Sequence, residues 1–181
     1  MNKISIYLAA ISFILGLPTL LYAQDDAISS FFSHHMEDER FSRVYISPKM
    51  MKMAGGFLRS AGDVSDEEAQ KLGELISKVN GIRILSGEKV DGQKLYREAM
   101  STLEIQRYED LMDIKDKDSN VKFMVREEKG KIREFLMLTG SKDSFALLSL
   151  IGSFTYEDLN TLADKTNMPG MQEYNKGKNK N

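Results

Sequence analysis

The residues best suited to binding a metal ion are two adjacent histidines that are followed by acids. His34 and His35 precede Asp38 and Glu39 in the sequence. On a helix the two imidazoles would point about 100° apart, so they could not easily converge on one ion. Zinc needs three or four ligands, and the chain contains no third histidine and no cysteine. We interpret the segment as a surface helix, and keep His34 and Asp38 as candidate metal ligands.

A second candidate cation site lies in the polar loop between two predicted strands. Asp116, Asp118 and Asn120 match the first, third and fifth positions of a calcium-binding loop, and Glu127 falls at the twelfth. The sixth position, where glycine permits the sharp turn, is Val121. The residues that follow alternate as a strand, whereas a calcium hand continues as a helix. We therefore expect a hairpin loop, with Asp116 and Asp118 as candidate calcium ligands.

Motifs for covalent and phosphate chemistry are missing from the sequence. It contains no Gly-x-Ser-x-Gly turn, no glycine-rich phosphate loop and no cysteine. Its 27 acidic residues make a hydrolytic carboxylate pair impossible to select from sequence. We assign no catalytic or cofactor-binding residue and expect no cofactor. A binding or interaction module is the favoured function, and a hydrolase or metal-dependent envelope enzyme with an unrecognised site is the alternative.

The overall composition fits one compact domain without a strongly charged surface. The chain has 181 residues, of which 41% are hydrophobic and 29% are charged. Twenty-five Lys and Arg oppose 27 Asp and Glu, which gives a net charge of −2. A nucleic-acid-binding domain needs a basic excess to displace counterions from phosphates, so we expect no nucleic-acid partner.

The first 23 residues have the pattern of an export signal. A short start with Lys3 is followed by an apolar stretch, by Gly16 and Pro18, and by the small residue Ala23. We predict cleavage after Ala23 and a periplasmic mature protein without a stable membrane anchor. A retained anchor is the alternative, because residues 4–23 carry no charge and could span a bilayer.

Helical periodicity dominates the first half of the mature chain. Helices are predicted from about Asp26, after the cap formed by Ser47 and Pro48, after a capping pattern at Ser65, and after Asp91 as far as about Arg107. The second of these helices is rich in methionine, which often fills irregular gaps in a core. We accordingly interpret its methionines as packing residues. Short strands are expected at 43–46 and 82–85.

Beyond residue 108 the period changes to two. Segments 111–114, 121–126, 131–138 and 145–150 each fit a strand, and polar linkers of hairpin length separate them. A last helix is predicted after the capping pattern at residues 155–158. The predicted fold is α+β, with helices packed on one face of a mostly antiparallel sheet and a C-terminal four-strand meander. We expect a single domain over 24–166 and a disordered polar tail over 167–181.

Three segments carry a resemblance to a known family. Residues 41–50 (FSRVYISPKM), 81–85 (GIRIL) and 148–159 (LSLIGSFTYEDL) resemble the bacterial envelope family called domain of unknown function 4252. The resemblance spans about residues 27–166. It implies an exported protein with no established chemistry, encoded in many members near extracytoplasmic-function sigma factors, and hence a role in envelope-stress regulation. Many members carry a lipidated cysteine after the signal, and this chain has none.

The predicted fold also suggests where a partner would bind. If helices cover one face of the sheet, Lys122, Arg126 and Arg133 would lie on the other face beside apolar residues. Antiparallel sheets tolerate such an exposed face, and their edge strands can accept an added peptide strand. We therefore predict that these three cations form a binding surface for an unidentified envelope protein or peptide.

Overall fold

The computed structural model describes residues 26–35, 37–61 and 67–165, so the predicted leader and tail lie outside the described residues. The helices are α1 (Asp26–His34), α2 (Pro48–Ala61), α3 (Glu67–Ser77), α4 (Gly92–Thr102) and α5 (Tyr156–Lys165), and a 3₁₀ turn covers Ile105–Arg107. The strands are β1 (Phe41–Ile46), β2 (Val79–Glu88), β3 (Glu109–Lys115), β4 (Ser119–Glu128), β5 (Lys131–Ser141) and β6 (Ser144–Phe154). Within the described ranges, no helix is long and apolar enough to cross a membrane.

The six strands form one antiparallel sheet in the order β1-β2-β6-β5-β4-β3. The last four strands of the chain are neighbours in sequence and in space, which confirms the predicted meander and the α+β class. Strands β1 and β3 are the two edges of the sheet. Strand β1 pairs with β2, which follows it in the chain after α2 and α3.

Helices cover both faces of the sheet, in contrast to the predicted packing on one face. On the first face α2, α3 and α5 pack onto the sheet through Met51, Leu75 and Leu159, which share a core with Phe123 and Phe135. On the second face α1 and α4 pack onto the sheet in a separate core. That second core includes Ile28, Phe31, Ala99, Met124, Leu136 and Leu147.

The reason for two covered faces is visible in the central strands. Residues 135–138 of β5 are Phe, Leu, Met and Leu, and all four are buried. Successive side chains of a strand point to opposite faces, so a continuous apolar run supplies a core on each side. Period-two alternation was the wrong pattern for this strand, and an uninterrupted run is the signature of a strand that is covered twice.

Local capping fixes where several helices begin. Ser47 Oγ accepts the Met50 N–H at 3.3 Å, and Asp91 accepts the Lys94 N–H at 2.9 Å. At the start of α5, Thr155 and Asp158 each accept the other's backbone N–H, at 3.1 and 2.8 Å. These contacts confirm three predicted caps. Helix α4 ends at Thr102, earlier than expected, because Glu104 adopts the left-handed conformation (φ 50°) before the 3₁₀ turn.

Helices α2 and α3 lie close together at a pair of glycines. A Cβ atom on Gly55 would lie 2.9 Å from the backbone oxygen of Gly73, so neither helix tolerates a larger residue at this crossing without moving. Arg59 of α2 also donates to the Gly73 oxygen at 3.3 Å. Helix α3 therefore occupies one flank of α2, and the opposite flank carries residues that α3 cannot cover.

Candidate functional site

A buried carboxylate lies at the centre of the second face. Glu134 of β5 is 4% exposed, and both of its oxygens accept hydrogen bonds. Ser149 Oγ donates to Oε1 at 2.6 Å, and the Tyr108 hydroxyl donates to Oε2 at 2.8 Å. Arg126 Nη2 donates to Oε2 at 3.3 Å. We call these four residues the Glu134 cluster.

The sheet register and the turn after α4 assemble the Glu134 cluster. Arg126 of β4 is paired directly with Glu134 of β5, next to a register shift in β5. Tyr108 arrives from the 3₁₀ turn that follows α4. Burial, followed by the charge of Glu134 and the hydrogen bond to it, raises the pKa of Tyr108 above its ordinary value.

The charged groups of the Glu134 cluster are bound to groups of the protein itself, which leaves little capacity to bind or activate a substrate. Arg126 uses its second terminal nitrogen to bind Glu128 at 2.9 Å. A narrow cleft beside the cluster is lined by Leu103, Glu104 and Arg107 as well as by Tyr108. A general base or nucleophile needs a free lone pair towards its substrate, whereas Glu134 accepts three hydrogen bonds from the protein. The arrangement is that of a structural ion pair.

Lys122 lies under α4 and not on an open surface. Its side chain in β4 is buried, and its ammonium contacts the carboxylates of Asp110 and Asp113 at 2.6 and 2.9 Å. Asp113 is its direct partner in the register between β3 and β4. Lys122 shares its side of β4 with Met124, which lies in the core that α1 and α4 cover. Burial, followed by the charge of Asp113, raises the pKa of Tyr96 on α4.

The other two cations of the predicted binding surface also have acidic neighbours. Arg126 contacts Glu128 and Glu134, as described above. Arg133 lies 3.6 Å from the Glu128 carboxylate and donates to Ser153 at 3.4 Å. The premise of an outer face is therefore wrong, because helices cover both faces and cross-strand acids neutralise the cations. The sequence pattern gave no indication of which acidic residues would lie next to these three cations.

The histidine pair is divided between a buried and an exposed position. His35 is buried, its Nδ1 donates to the Phe31 oxygen at 2.9 Å, and its ring lies between those of Phe31 and Phe41. His34 is exposed. Asp38 binds the Arg40 guanidinium, and hydrogen bonds from Arg40 lower the pKa of Asp38 to about 2. These contacts do not bring the two candidate ligands, His34 and Asp38, into one coordination site.

The calcium candidates lie in the hairpin that joins β3 to β4. Asp116 donates its N–H to the Ser119 oxygen at 2.8 Å, and its carboxylate accepts the Lys117 N–H at 2.7 Å. Asp118 is exposed in the same loop. Across the described part of the chain, no three His, Cys, Asp or Glu side chains are grouped closely enough to hold a metal.

Five of the six large apolar or aromatic side chains that are exposed among the described residues lie on α2 and β1, and the sixth is Tyr156 of α5. Met50, Met53 and Phe57 project from one side of α2 and are 57%, 62% and 71% exposed. Val44 and Tyr45 of β1, just before α2 in the chain, are 42% and 65% exposed. We call these five residues the α2–β1 surface. Of the methionines near the start of α2, only Met51 packs into the core, so the expectation of packing was wrong for Met50 and Met53.

The chain around the α2–β1 surface is positively charged. Residues 41–61 include Arg43, Lys49, Lys52 and Arg59 but no Asp or Glu, in a chain whose net charge is −2. Arg59 donates to backbone and hydroxyl oxygens of α3. The other three are exposed, and none of them forms an ion pair with an acid among the described residues. The absence of acidic residues from this segment was visible in the sequence, and a count of charges by segment would have found it.

The geometry defines a small α+β protein. Its buried polar cluster is hydrogen-bonded within the protein, and its α2–β1 surface exposes apolar side chains next to cations. The chain belongs to the family described as domain of unknown function (DUF4252), whose model matches residues 32–162. This match confirms the resemblance that the sequence motifs indicated. No curated protein and no solved structure matches the chain.

Proposed function

We propose that this protein is an exported periplasmic binding module that contacts its partner through the α2–β1 surface. The observation that carries the proposal is the exposure of Met50, Met53 and Phe57 along one helix whose opposite side packs into the core. Covering an apolar side chain of this size contributes about 1.5–3 kcal/mol. Clustered exposure of this kind marks interaction sites more often than scattered exposure does.

The proposed location and role have separate support. The leader pattern in residues 1–23 supports export and cleavage after Ala23. Membership of the family supports a role in envelope-stress regulation, because of the sigma factors encoded near its members. Cell fractionation followed by mass measurement tests the location: we expect a periplasmic species that begins at Gln24. A full-length protein in the cytoplasm would contradict the proposal.

Site-specific crosslinking in living cells tests the contact itself. A photoreactive amino acid at position 57 should yield a discrete, reproducible adduct with a partner. The matched control is position 117, an exposed residue of the hairpin between β3 and β4 that lies outside the α2–β1 surface. Equal yields at both positions, or no adduct at position 57, would show that this surface has no specific partner.

A further inference from the structure

We infer that the partner binds through an acidic, extended peptide segment that adds to the sheet as a strand beside β1. This inference rests on the proposed function, since it names the chemistry of the partner at the α2–β1 surface. Three features of this edge support it: its backbone groups, the two exposed sides of β1, and its charge.

The backbone of β1 presents hydrogen-bonding groups at the open edge. The Phe41 N–H donates to Asp38 and not across to β2, whereas the Glu88 N–H of β2 bonds to the Arg40 oxygen. Because the bonding direction alternates along an antiparallel strand, the N–H and C=O groups of Arg43 and Tyr45 point away from β2. An incoming strand can pair with both residues.

Both sides of β1 are exposed, which suits a strand better than a flat surface. Val44 lies on the face that α2 covers, together with Ile46, and Tyr45 lies on the opposite face. The side chains of an added strand alternate in the same way, so they can contact Tyr45 on one side and Val44 with the α2 residues on the other. A bilayer surface could contact only one of the two sides at a time.

The charge of this edge selects the chemistry of the peptide. Arg43, Lys49 and Lys52 are exposed and lack acidic partners among the residues described. A second copy of the chain would bring the same cations towards each other, which disfavours self-pairing at this edge. Glu or Asp side chains on one side of an added strand would instead meet Arg43, which lies on the same side of β1 as Tyr45. The apolar residues that alternate with these acids would point to the other side, towards Val44 and the exposed Met50, Met53 and Phe57 of α2.

Short synthetic peptides that alternate Glu with Val or Phe are the first probe, titrated against the mature protein. We expect saturable binding that weakens with added salt, and protection of the Arg43 and Tyr45 amides from hydrogen exchange. Peptides with Lys in place of Glu, and acidic peptides interrupted by Pro, are the controls and should bind at least about tenfold more weakly. Absence of binding by the acidic peptides would overturn the inference.

A backbone variant separates strand addition from other contacts. Tyr45→Pro removes an N–H that points away from β2, and proline is tolerated at strand edges. We expect it to weaken the acidic peptide about tenfold or more, and Tyr45→Ala to weaken it less. Should Tyr45→Pro unfold, the variant Arg43→Glu must reverse the preference towards Lys-containing peptides. An unchanged preference in that variant would equally overturn the inference.

The outcomes distinguish this inference from the proposed function. If the position 57 adduct persists in cells while Tyr45→Pro changes neither the adduct nor peptide binding, the binding surface is real but strand addition is wrong. Vesicles containing phosphatidylglycerol form a second arm. Binding to them that depends on Lys49 and Lys52, without peptide binding, would replace the peptide with an anionic membrane. If the photoreactive residue at position 57 forms no adduct in the otherwise unchanged protein, the proposed function itself is wrong.

Discussion

The Glu134 cluster and the α2–β1 surface treat polar and apolar groups in opposite ways. In the cluster, a buried carboxylate has hydrogen bonds on both oxygens from Ser149, Tyr108 and Arg126. At the surface, large apolar side chains remain exposed beside cations that have no acidic partner among the described residues. The comparison separates side chains that stabilise the fold from side chains that the fold does not need. Side chains of the second group can contact a partner without any loss of contacts that stabilise the fold, so a binding function is expected there.

The charges at the open edge have a second physical consequence. Exposed edge strands invite pairing between identical chains, and natural proteins often oppose this with lysine or arginine near the edge. Arg43, on β1 itself, is placed to oppose such pairing. In the inferred complex the same cation favours a partner that brings carboxylates.

The largest effect is expected from removing the central carboxylate. Glu134→Ala removes the acceptor of the buried Ser149 hydroxyl and of the partly buried Tyr108 hydroxyl, and it leaves Arg126 with Glu128 as its remaining acidic partner. Breaking a buried pair from one side costs about 3–5 kcal/mol of unfolding free energy, which urea denaturation measures directly. Glu134→Gln, which keeps an oxygen acceptor, should lose less. Equal losses in the two variants would show that the charge and its hydrogen bonds do not stabilise the fold.

Tyr108 offers a smaller and pH-dependent test of the same cluster. Tyr108→Phe removes one hydrogen bond to a charged acceptor and should cost about 2 kcal/mol near neutral pH. Burial and the charge of Glu134 raise the pKa of Tyr108 above 10.0. The unfolded chain therefore releases this proton first, so its contribution is present below pH 10 and is lost as the pH rises further.

Alkaline denaturation measures that difference. The stability of the wild type should fall more steeply above pH 10 than that of Tyr108→Phe, and the two curves should converge. Tyr45→Phe, at an exposed tyrosine, is the matched control and should follow the wild type. If the Tyr108→Phe curve stays parallel to the wild type at high pH, the hydroxyl does not titrate as the structure requires.

The cap of α5 should give an intermediate effect. Asp158 accepts the Thr155 N–H and pairs with Lys78 at 2.7 Å, so Asp158→Asn should cost about 1 kcal/mol. Burial alone would raise the pKa of Asp158, but hydrogen bonds from Lys78 and Thr155 outweigh it and lower the pKa below 3.8. The contribution is thus present above pH 3.8 and lost as the pH falls through the lower native value. Acid denaturation of both proteins should show the gap closing.

Local signals in the sequence were sufficient for the ends of several helices and for the meander. Ser47, Asp91 and Thr155 were predicted as caps because each acts on a backbone group within three residues. The hairpins followed from polar linkers between strands. Such features depend on short stretches of chain, and the structure confirms them.

Features that depend on distant residues could not be predicted in the same way. Lys122 was expected on an open face, but it lies on the side of β4 that α1 and α4 cover, and these helices belong to other parts of the chain. The partners of Glu134 come from three separate segments, so no spacing in the sequence announces them. The exposure of Met53 likewise depends on where α3 packs against α2. Charge segregation over residues 41–61 was the one signal of the binding surface that the sequence did contain.

The smallest effect on stability is expected at the α2–β1 surface, and it sharpens the comparison most. Phe57 is 71% exposed, so Phe57→Ser removes little buried area and should change the unfolding free energy by no more than about 0.5 kcal/mol. Met51→Ser is the matched control on the same helix, because Met51 lies in the core and its loss should cost several times more. The same Phe57→Ser variant should nevertheless abolish the adduct formed by a photoreactive residue at position 53. A Phe57→Ser variant that keeps both its stability and its adduct would show that Phe57 contacts neither the core nor a partner. The α2–β1 surface would then differ from the Glu134 cluster in its exposure to solvent but not in having a binding role.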